Sequence, residues 1–325
     1  MSALLDVILP VFLIIGFGYA AAKRGLFGES AVDGVMRYAQ NFAAPCLLFR
    51  SIAGLDLGHA YDPALMLSFY IAAFVSFGVG MTGALLVFKR PLTDAVAIGF
   101  ACLFSNSLLL GLPITERAFG TAALTGNYAI ISIHAPLFYG FGIAMMEWAK
   151  ARGQGLSLAT LGAKIGRAIG SQPLVIGIAL GFAVNLAGFG LYGPISGAVD
   201  MIAGTAIPTA LFGLGGVLVR YRTEGDRATI AMICGCALVL HPGLTWALGH
   251  YVFDLDRDGM RSAVVTAAMA PGEQAAAVAA LRERVRPRNA AIQTIQRDEG
   301  LLDAQVQQKT GLMLEQDSDN DAGLG

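Results

Sequence analysis

The feature that most constrains this chain is a succession of apolar segments, each close to the length of a bilayer-crossing helix. A helix needs about 20 apolar residues to cross the hydrocarbon core. The segments cover residues 4–22, 35–53, 63–88, 95–115, 124–148, 172–190, 197–219, 227–252 and 261–272, the last of them incomplete. Only 14% of the 325 residues are charged, against about 25% in soluble domains. The sequence therefore predicts an all-α polytopic membrane protein.

Sequence patterns typical of enzymes and metal sites do not accompany these segments. The four cysteines lie in apolar runs without a CxxC spacing, so neither disulfides nor zinc are indicated. Two G-x-G-x-x-G matches, at 78–83 and 188–193, follow no strand and indicate close helix packing, not nucleotide binding. We expect no catalytic residues, no metal and no cofactor. The net charge of −1 points to no nucleic-acid partner.

Basic residues in the loops predict the orientation in the membrane. Cytoplasmic loops are enriched in lysine and arginine. The odd-numbered loops and their flanks carry 12 such residues, and the even-numbered ones carry 4. We therefore expect a multi-pass protein of the cell inner membrane with its N-terminus outside. The first segment contains Asp6 and lacks a basic start, so we expect a mature span and not a cleaved signal.

Two short motifs recur at a single spacing. Pro10 and Pro173 are 163 positions apart, and so are Pro45 and Pro208, which both begin the pattern P-x-x-L-F. Because five spans separate the equivalents, the second copy must be inverted relative to the first, as in many secondary transporters. Chance alignment of prolines is the alternative, but two pairs at one offset favour a repeat.

The stretch from Cys102 to Thr115 is the candidate substrate site. Its polar and helix-weakening residues are Ser105, Asn106, Ser107, Gly111 and Pro113. Unpaired backbone groups in hydrocarbon cost several kcal/mol each, so a weakened helix at this depth must face protein or a watery cavity. Alternatively, the Asn106 side chain only forms a hydrogen bond with a neighbouring helix.

The 163-residue spacing gives this stretch a partner in the ninth span. Adding 163 to Asn106 gives Met269, which is followed by Pro271 and Gly272. Two interrupted spans at corresponding places in the two halves of a transporter indicate its substrate site. The helix N-termini at such breaks attract anions.

A few ionisable residues also lie in or near the spans, where such groups are functional by default. His134, in the fifth span, is the candidate for carrying a coupling proton because histidine titrates near neutral pH. His241 is a weaker candidate. Glu147 is expected to mark the membrane interface, and Asp6 and Arg50 to extend toward it from span ends.

The chain resembles the auxin efflux carrier family, whose bacterial members are permeases for malonate and related small carboxylates. The resemblance covers about residues 1–272. The stretches that carry it are LPVFLIIGFGY (9–19), APCLLF (44–49), SNS with GLP (105–107 and 111–113), 206–216 and MAPG (269–272).

The resemblance implies ten helices in two inverted five-helix repeats, with the fourth and ninth crossing as in the bile-acid symporter-like fold. It implies that Asn106 and its serine neighbours donate hydrogen bonds to a carboxylate, and that Pro113 and Pro271 hold the crossing open. We expect a secondary transporter that moves a small organic anion by alternating access, with proton or sodium coupling and a homodimer as further expectations. A sodium-coupled symporter of bile-acid type is an alternative.

The predicted domains are a first repeat at 1–148, a cytoplasmic loop at 149–171, an incomplete second repeat at 172–272 and a polar, partly disordered tail at 273–325. After Gly272 no apolar stretch of 18 residues remains, whereas the family completes a ninth helix and adds a tenth. This suggests a frameshifted or truncated product. A second alternative is therefore a non-transporting membrane protein whose tail binds a cytosolic partner.

Overall fold

The structure is a computed structural model that describes residues 2–151, 157–188, 190–220 and 227–269. Within these ranges the chain is helical and contains no β-strand, as predicted. The helices are α1 (Ser2–Lys23), α2 (Glu29–Tyr38), α3 (Ala44–Ala53), α4 (Leu57–Ala60), α5 (Pro63–Leu86), α6 (Leu92–Leu103), α7 (Leu112–Phe119), α8 (Leu124–Ala151), α9 (Leu158–Gly170), α10 (Pro173–Ala187), α11 (Gly193–Gly204), α12 (Ala206–Leu218), α13 (Arg227–Gly235), α14 (His241–Tyr251) and α15 (Arg257–Ala267).

Six helical stretches in the described ranges are long and apolar enough to cross a membrane. They are Leu5–Lys23, Pro63–Leu86, Leu92–Phe119, Thr121–Ala151, Gly193–Leu218 and Arg227–Tyr251, and each coincides with a predicted span. The predicted spans at 35–53, 172–190 and 261–272 do not meet this test individually. The first contains several polar residues, α10 has only 15 residues, and α15 has 11.

In the part of the chain that the structure describes, three π-helical turns interrupt the helices: Ala39–Ala43, Ser107–Gly111 and Cys236–Leu240. Each ends two residues before a proline, at Pro45, Pro113 and Pro242 respectively. A proline inside a helix has no N–H to donate, and its ring clashes with the carbonyl four residues earlier. The wider turn accommodates the ring, so the helix continues through the proline.

The predicted cytoplasmic loop at 149–171 contains helix α9. In α9, Ile165 and Ile169 are four residues apart and share one face. Both side chains lie within 3.6 Å of the position that a Cβ atom would take at Gly140 of α8. Lys164 Nζ lies 2.6 Å from Glu147 Oε2 of α8. Helix α10 follows α9 at a bend of 78°, and the two together are the seventh candidate span.

Two close helix contacts match at the 163-residue spacing. A Cβ atom added to Gly18 of α1 would overlap the carbonyl oxygen of Phe212 in α12. A Cβ atom added to Gly181 of α10 would lie only 2.8 Å from the carbonyl oxygen of Phe49 in α3. Adding 163 to Gly18 and to Phe49 gives Gly181 and Phe212. In one interface the glycine belongs to the first half of the chain and the phenylalanine to the second, and in the other interface this is reversed. An inverted repeat predicts this relationship.

Two of the helix ends follow the same spacing. Gly25, just after α1, has φ +75°, and Gly188, just after α10, has φ +67°. Residues with a side chain rarely adopt this left-handed conformation, which commonly ends helices at glycine. These two glycines are also 163 positions apart.

Candidate functional site

The fourth predicted span is interrupted at residues 104–106. Helix α6 ends at Leu103, Phe104 is extended with φ −84° and ψ 122°, and the helix resumes with the π turn at Ser107. Asn106 caps the new helix, because its Oδ1 accepts a hydrogen bond from the N–H of Leu109 at 3.2 Å. The break therefore precedes Gly111 and Pro113, which both lie in helical turns.

The three polar residues of the break are buried and face a common cavity. The hydroxyl groups of Ser105 and Ser107 are hydrogen-bonded to each other at 2.8 Å, and the Ser107 hydroxyl also lies 3.4 Å from the carbonyl oxygen of Ser105, to which it donates. Asn106 is 7% exposed. Its Oδ1 is used in the cap, which leaves the side-chain NH₂ as a donor. The break thus presents neutral hydrogen-bonding groups together with the start of a helix.

The cavity at the break, which we call the small cavity, has a volume of about 140 Å³. Its polar lining residues are Gln40, Asn41, Ser105, Asn106, Ser107, His134, Tyr139 and Gln172. None of the described residues that line it is Lys, Arg, Asp or Glu. A carboxylate here would depend on neutral donors and on the positive end of the helix that begins at Ser107.

The structure places His134 in the wall of the small cavity. Its ring lies among Phe69, Phe104 and Phe138, with centroid distances of 5.9, 4.7 and 4.4 Å. The side chain is buried, and neither ring nitrogen has a hydrogen-bond partner among the described residues. His241 is also buried and packs against Phe69 at 5.0 Å, but it does not line the cavity.

The described end of the ninth predicted span lies against the break in the fourth. Helix α15 contacts the Ser107–Gly111 turn and α7, and Met269 Cγ lies 3.5 Å from the position of a Cβ atom at Gly111. Met269 is the residue that the 163-residue spacing pairs with Asn106. Pro271 and Gly272 lie outside the described residues.

Asn127 of α8 joins these two spans, and sequence reasoning missed it. Its Nδ2 donates to Thr266 Oγ1 at 2.8 Å and lies 3.3 Å from Thr115 Oγ1. The side chain has no exposed surface. An asparagine inside an apolar span was the available signal, since buried polar groups in membranes seek partners on other helices.

A second cavity, which we call the large cavity, has a volume of about 650 Å³. Prolines from three spans line it: Pro10, Pro113 and Pro208. Pro45, by contrast, is the second residue of α3, and its carbonyl is in close contact with Gly177 of α10. Pro113 and Pro208 therefore belong to the cavity wall, and Pro45 belongs to a helix interface.

The wall between the two cavities is apolar. Leu108 lines the small cavity, Leu112 lines the large cavity one helical turn later, and both pack in the same hydrophobic cluster with Ile131. The start of the resumed helix therefore lies between the two cavities.

The large cavity carries charged side chains that the small cavity lacks. Arg50, Glu116, Arg117 and Asp200 all line it. Arg50, expected only to extend toward the interface, forms an ion pair with Asp200 through its Nε atom. Arg117 Nη2 donates to the backbone oxygen of Asp6 at 2.9 Å, which ties α7 to α1. Asp200 lies far from Arg50 in the sequence, and no local pattern indicated this pair.

Comparison with known proteins agrees with this architecture. A family model described as membrane transport protein matches residues 3–296. A protein of Rhizobium meliloti (strain 1021), whose name proposes malonate transport, is 24% identical over 246 residues, which is 76% of each chain. A transporter of Methanothermobacter thermautotrophicus, named as uncharacterized, is 26% identical over 245 residues, covering 73% of this chain and 75% of its own. The family match continues past Gly272, where the sequence analysis placed the end of the resemblance.

Proposed function

Because this chain belongs to the membrane transport protein family, the family of the auxin efflux carriers, we propose that it moves a small organic anion by alternating access. Transport across a membrane is the activity of the family. The observation that carries the finer proposal is the break at residues 104–106, where Asn106 caps a new helix beside the small cavity.

The chemistry of the small cavity suits a carboxylate. Asn106 can donate through its side-chain NH₂, and the turn that starts at Ser107 offers backbone N–H groups and a positive helix end. The hydroxyls of Ser105 and Ser107 share a hydrogen bond in which either can be the donor, so a bound carboxylate would redirect one of these hydroxyls. Hydrogen bonds to a charged group are about twice as strong as neutral ones, which favours that exchange.

The arrangement of the spans supports alternating access. The start of the resumed helix lies between the small and the large cavity, with Leu108 on one side and Leu112 on the other. The matched contacts of Gly18 and Gly181 support two inverted repeats. With the N-terminus outside, as the loop charges predict, the large cavity would open to the outside of the inner membrane and the small cavity to the cytoplasm.

Coupling to an ion gradient is part of the same proposal. His134 is the titratable side chain in the small cavity best suited to a proton, because it lines the cavity and its ring nitrogens have no partner among the described residues. Sodium coupling is the alternative that the bile-acid symporter-like fold implies.

Uptake into proteoliposomes tests this function. Purified protein would be reconstituted and given radiolabelled malonate, with a pH gradient, a sodium gradient or neither. We expect uptake that unlabelled small carboxylates compete away and that one gradient accelerates. If neither malonate nor other mono- and dicarboxylates enter above empty liposomes under any gradient, the anion proposal is wrong.

A further inference from the structure

Two ion pairs join the second and seventh predicted spans, one near each end. Asp33 of α2 pairs with Arg220, just beyond α12, at 2.7 Å. Arg50 of α3 pairs with Asp200 of α11. The two spans therefore run antiparallel, and each carries an aspartate toward its start and an arginine toward its end. The two pairs have the same chemistry, but their surroundings differ.

Of the two pairs, Arg50–Asp200 lines the large cavity. Both side chains are in the wall of the large cavity, and 57% of the Arg50 side chain is exposed. Asp33 and Arg220 line neither cavity, and Arg220 is further held by a 2.7 Å hydrogen bond to the carbonyl of Glu29. Both pairs are partly exposed, but the first lies in a cavity wall and the second lies outside both cavities.

The guanidinium of Arg50 has unused donors. Asp200 is its only ion-pair partner among the described residues, and the contact is made through Nε. A guanidinium has five N–H groups arranged to bind a carboxylate through two parallel hydrogen bonds. The other arginine of the large cavity, Arg117, already donates to the backbone of Asp6. Arg50 is thus the cation in this cavity that already binds a carboxylate and still has donors for a second one.

Among the described residues that line the small cavity, none is a lysine or an arginine. Taking a carboxylate out of water is costly unless it is paired. We propose that Arg50 is a capture site for the carboxylate, and that the anion competes with Asp200 for the guanidinium. This inference rests on the proposed function, since it names where the anion first binds. When the anion moves on, Asp200 pairs with Arg50 again and the site is reset.

Binding of malonate to the purified full-length protein, measured by isothermal titration calorimetry, tests this site. Asp200→Asn removes the competing carboxylate and should lower the Kd for malonate by up to about fivefold, the effect expected of a partly exposed ion pair. Arg50→Gln should raise the Kd by about tenfold or more, as expected from the loss of a hydrogen bond to a charged group. The double variant should bind like Arg50→Gln, because Asp200 acts only through Arg50.

The second ion pair supplies matched controls. Asp33→Asn and Arg220→Gln make the same charge changes on the same two spans, and both should leave the Kd within about twofold of the wild type. Tighter binding by Asp200→Asn cannot come from misfolding, so the inference does not depend on how well Arg50→Gln folds.

The outcomes separate this inference from the proposed function. If malonate binds the wild type, Asp200→Asn and Arg50→Gln equally, Arg50 is not a capture site, and the carrier proposal stands. If the control variants shift the Kd as much as the cavity variants, the effect is one of overall charge and the inference is wrong. If no small carboxylate binds any variant, including Asp200→Asn, the proposed function fails and the capture site fails with it.

Discussion

Asn127 Nδ2 lies 2.8 Å from Thr266 Oγ1, a hydrogen bond that ties the fifth predicted span to the ninth. The same nitrogen lies 3.3 Å from Thr115 Oγ1 in the fourth. Three spans therefore meet at one buried amide, on the helices that hold the substrate-site break.

Replacing Asn127 with leucine should destabilise this junction. The variant leaves two buried threonine hydroxyls without the amide, and an unsatisfied buried polar group costs about 1–3 kcal/mol. We expect Asn127→Leu to lower the melting temperature in detergent, followed with a thiol-reactive dye because Cys102 and Cys236 are buried and free. Thr125→Ala, at a half-buried site on the same helix whose hydroxyl donates to the carbonyl of Ala122, is the control. Equal melting temperatures for the two variants would contradict a bridging role.

Adding one methyl group at the matched glycines should weaken both helix interfaces. A Cβ atom at Gly18 or Gly181 would meet backbone oxygen that a side-chain movement cannot relieve. Overpacking of this kind costs about 1–3 kcal/mol. Gly16→Ala, on the same helix as Gly18, meets no atom within 4 Å and should be tolerated. Thermal unfolding of the three variants measures the difference, and a tolerated Gly18→Ala would show that α1 and α12 are further apart.

The Asn106→Asp variant tests the role of this residue in anion binding separately from its role in capping the helix. Aspartate caps a helix as well as asparagine does, so the helix start should be retained, and the melting temperature of the variant measures the cost of burying the new carboxylate. The variant replaces an NH₂ donor with a negative charge beside the expected carboxylate, so malonate binding should fall by tenfold or more. Ser76→Ala, where the hydroxyl bonds its own helix away from both cavities, is the control. Unchanged malonate binding by Asn106→Asp would remove this residue from the site.

His134→Phe tests the proton-coupling role. The new ring should pack among Phe69, Phe104 and Phe138 as the imidazole does. We expect malonate uptake by the variant to lose its response to a pH gradient, while equilibrium binding of malonate persists. His250→Phe, at an exposed position, should behave as the wild type. Uptake by His134→Phe that still follows the pH gradient would assign the coupling elsewhere.

The features that the sequence predicted are those set by local chemistry. Six apolar runs are helices of spanning length, because each run can satisfy its own backbone only as a helix. The break near Asn106 follows from polar residues in such a run. The 163-residue spacing predicted that Met269 lies near this break. The spacing has predictive value because equivalent positions in repeated units have similar surroundings.

The features that the sequence did not predict depend on which helix faces meet. The ion pair of Arg50 with Asp200 and the junction at Asn127 join residues that are far apart in the chain, and nothing near either residue identifies its partner. Helix α9 was missed for a different reason. Its apolar face is only a few residues long, and the charged residues around it are typical of a loop.

The π turn at Ser107–Gly111 has a consequence for the angular register of the fourth span. A π turn holds one residue more than an α turn, and each residue of an α-helix turns the chain by about 100°. If this turn tightened to α geometry, everything after it, including Leu112 and Pro113, would rotate by that angle about the helix axis. The face that now lines the large cavity would then turn away from it. This rotation would need no hinge at the membrane surface.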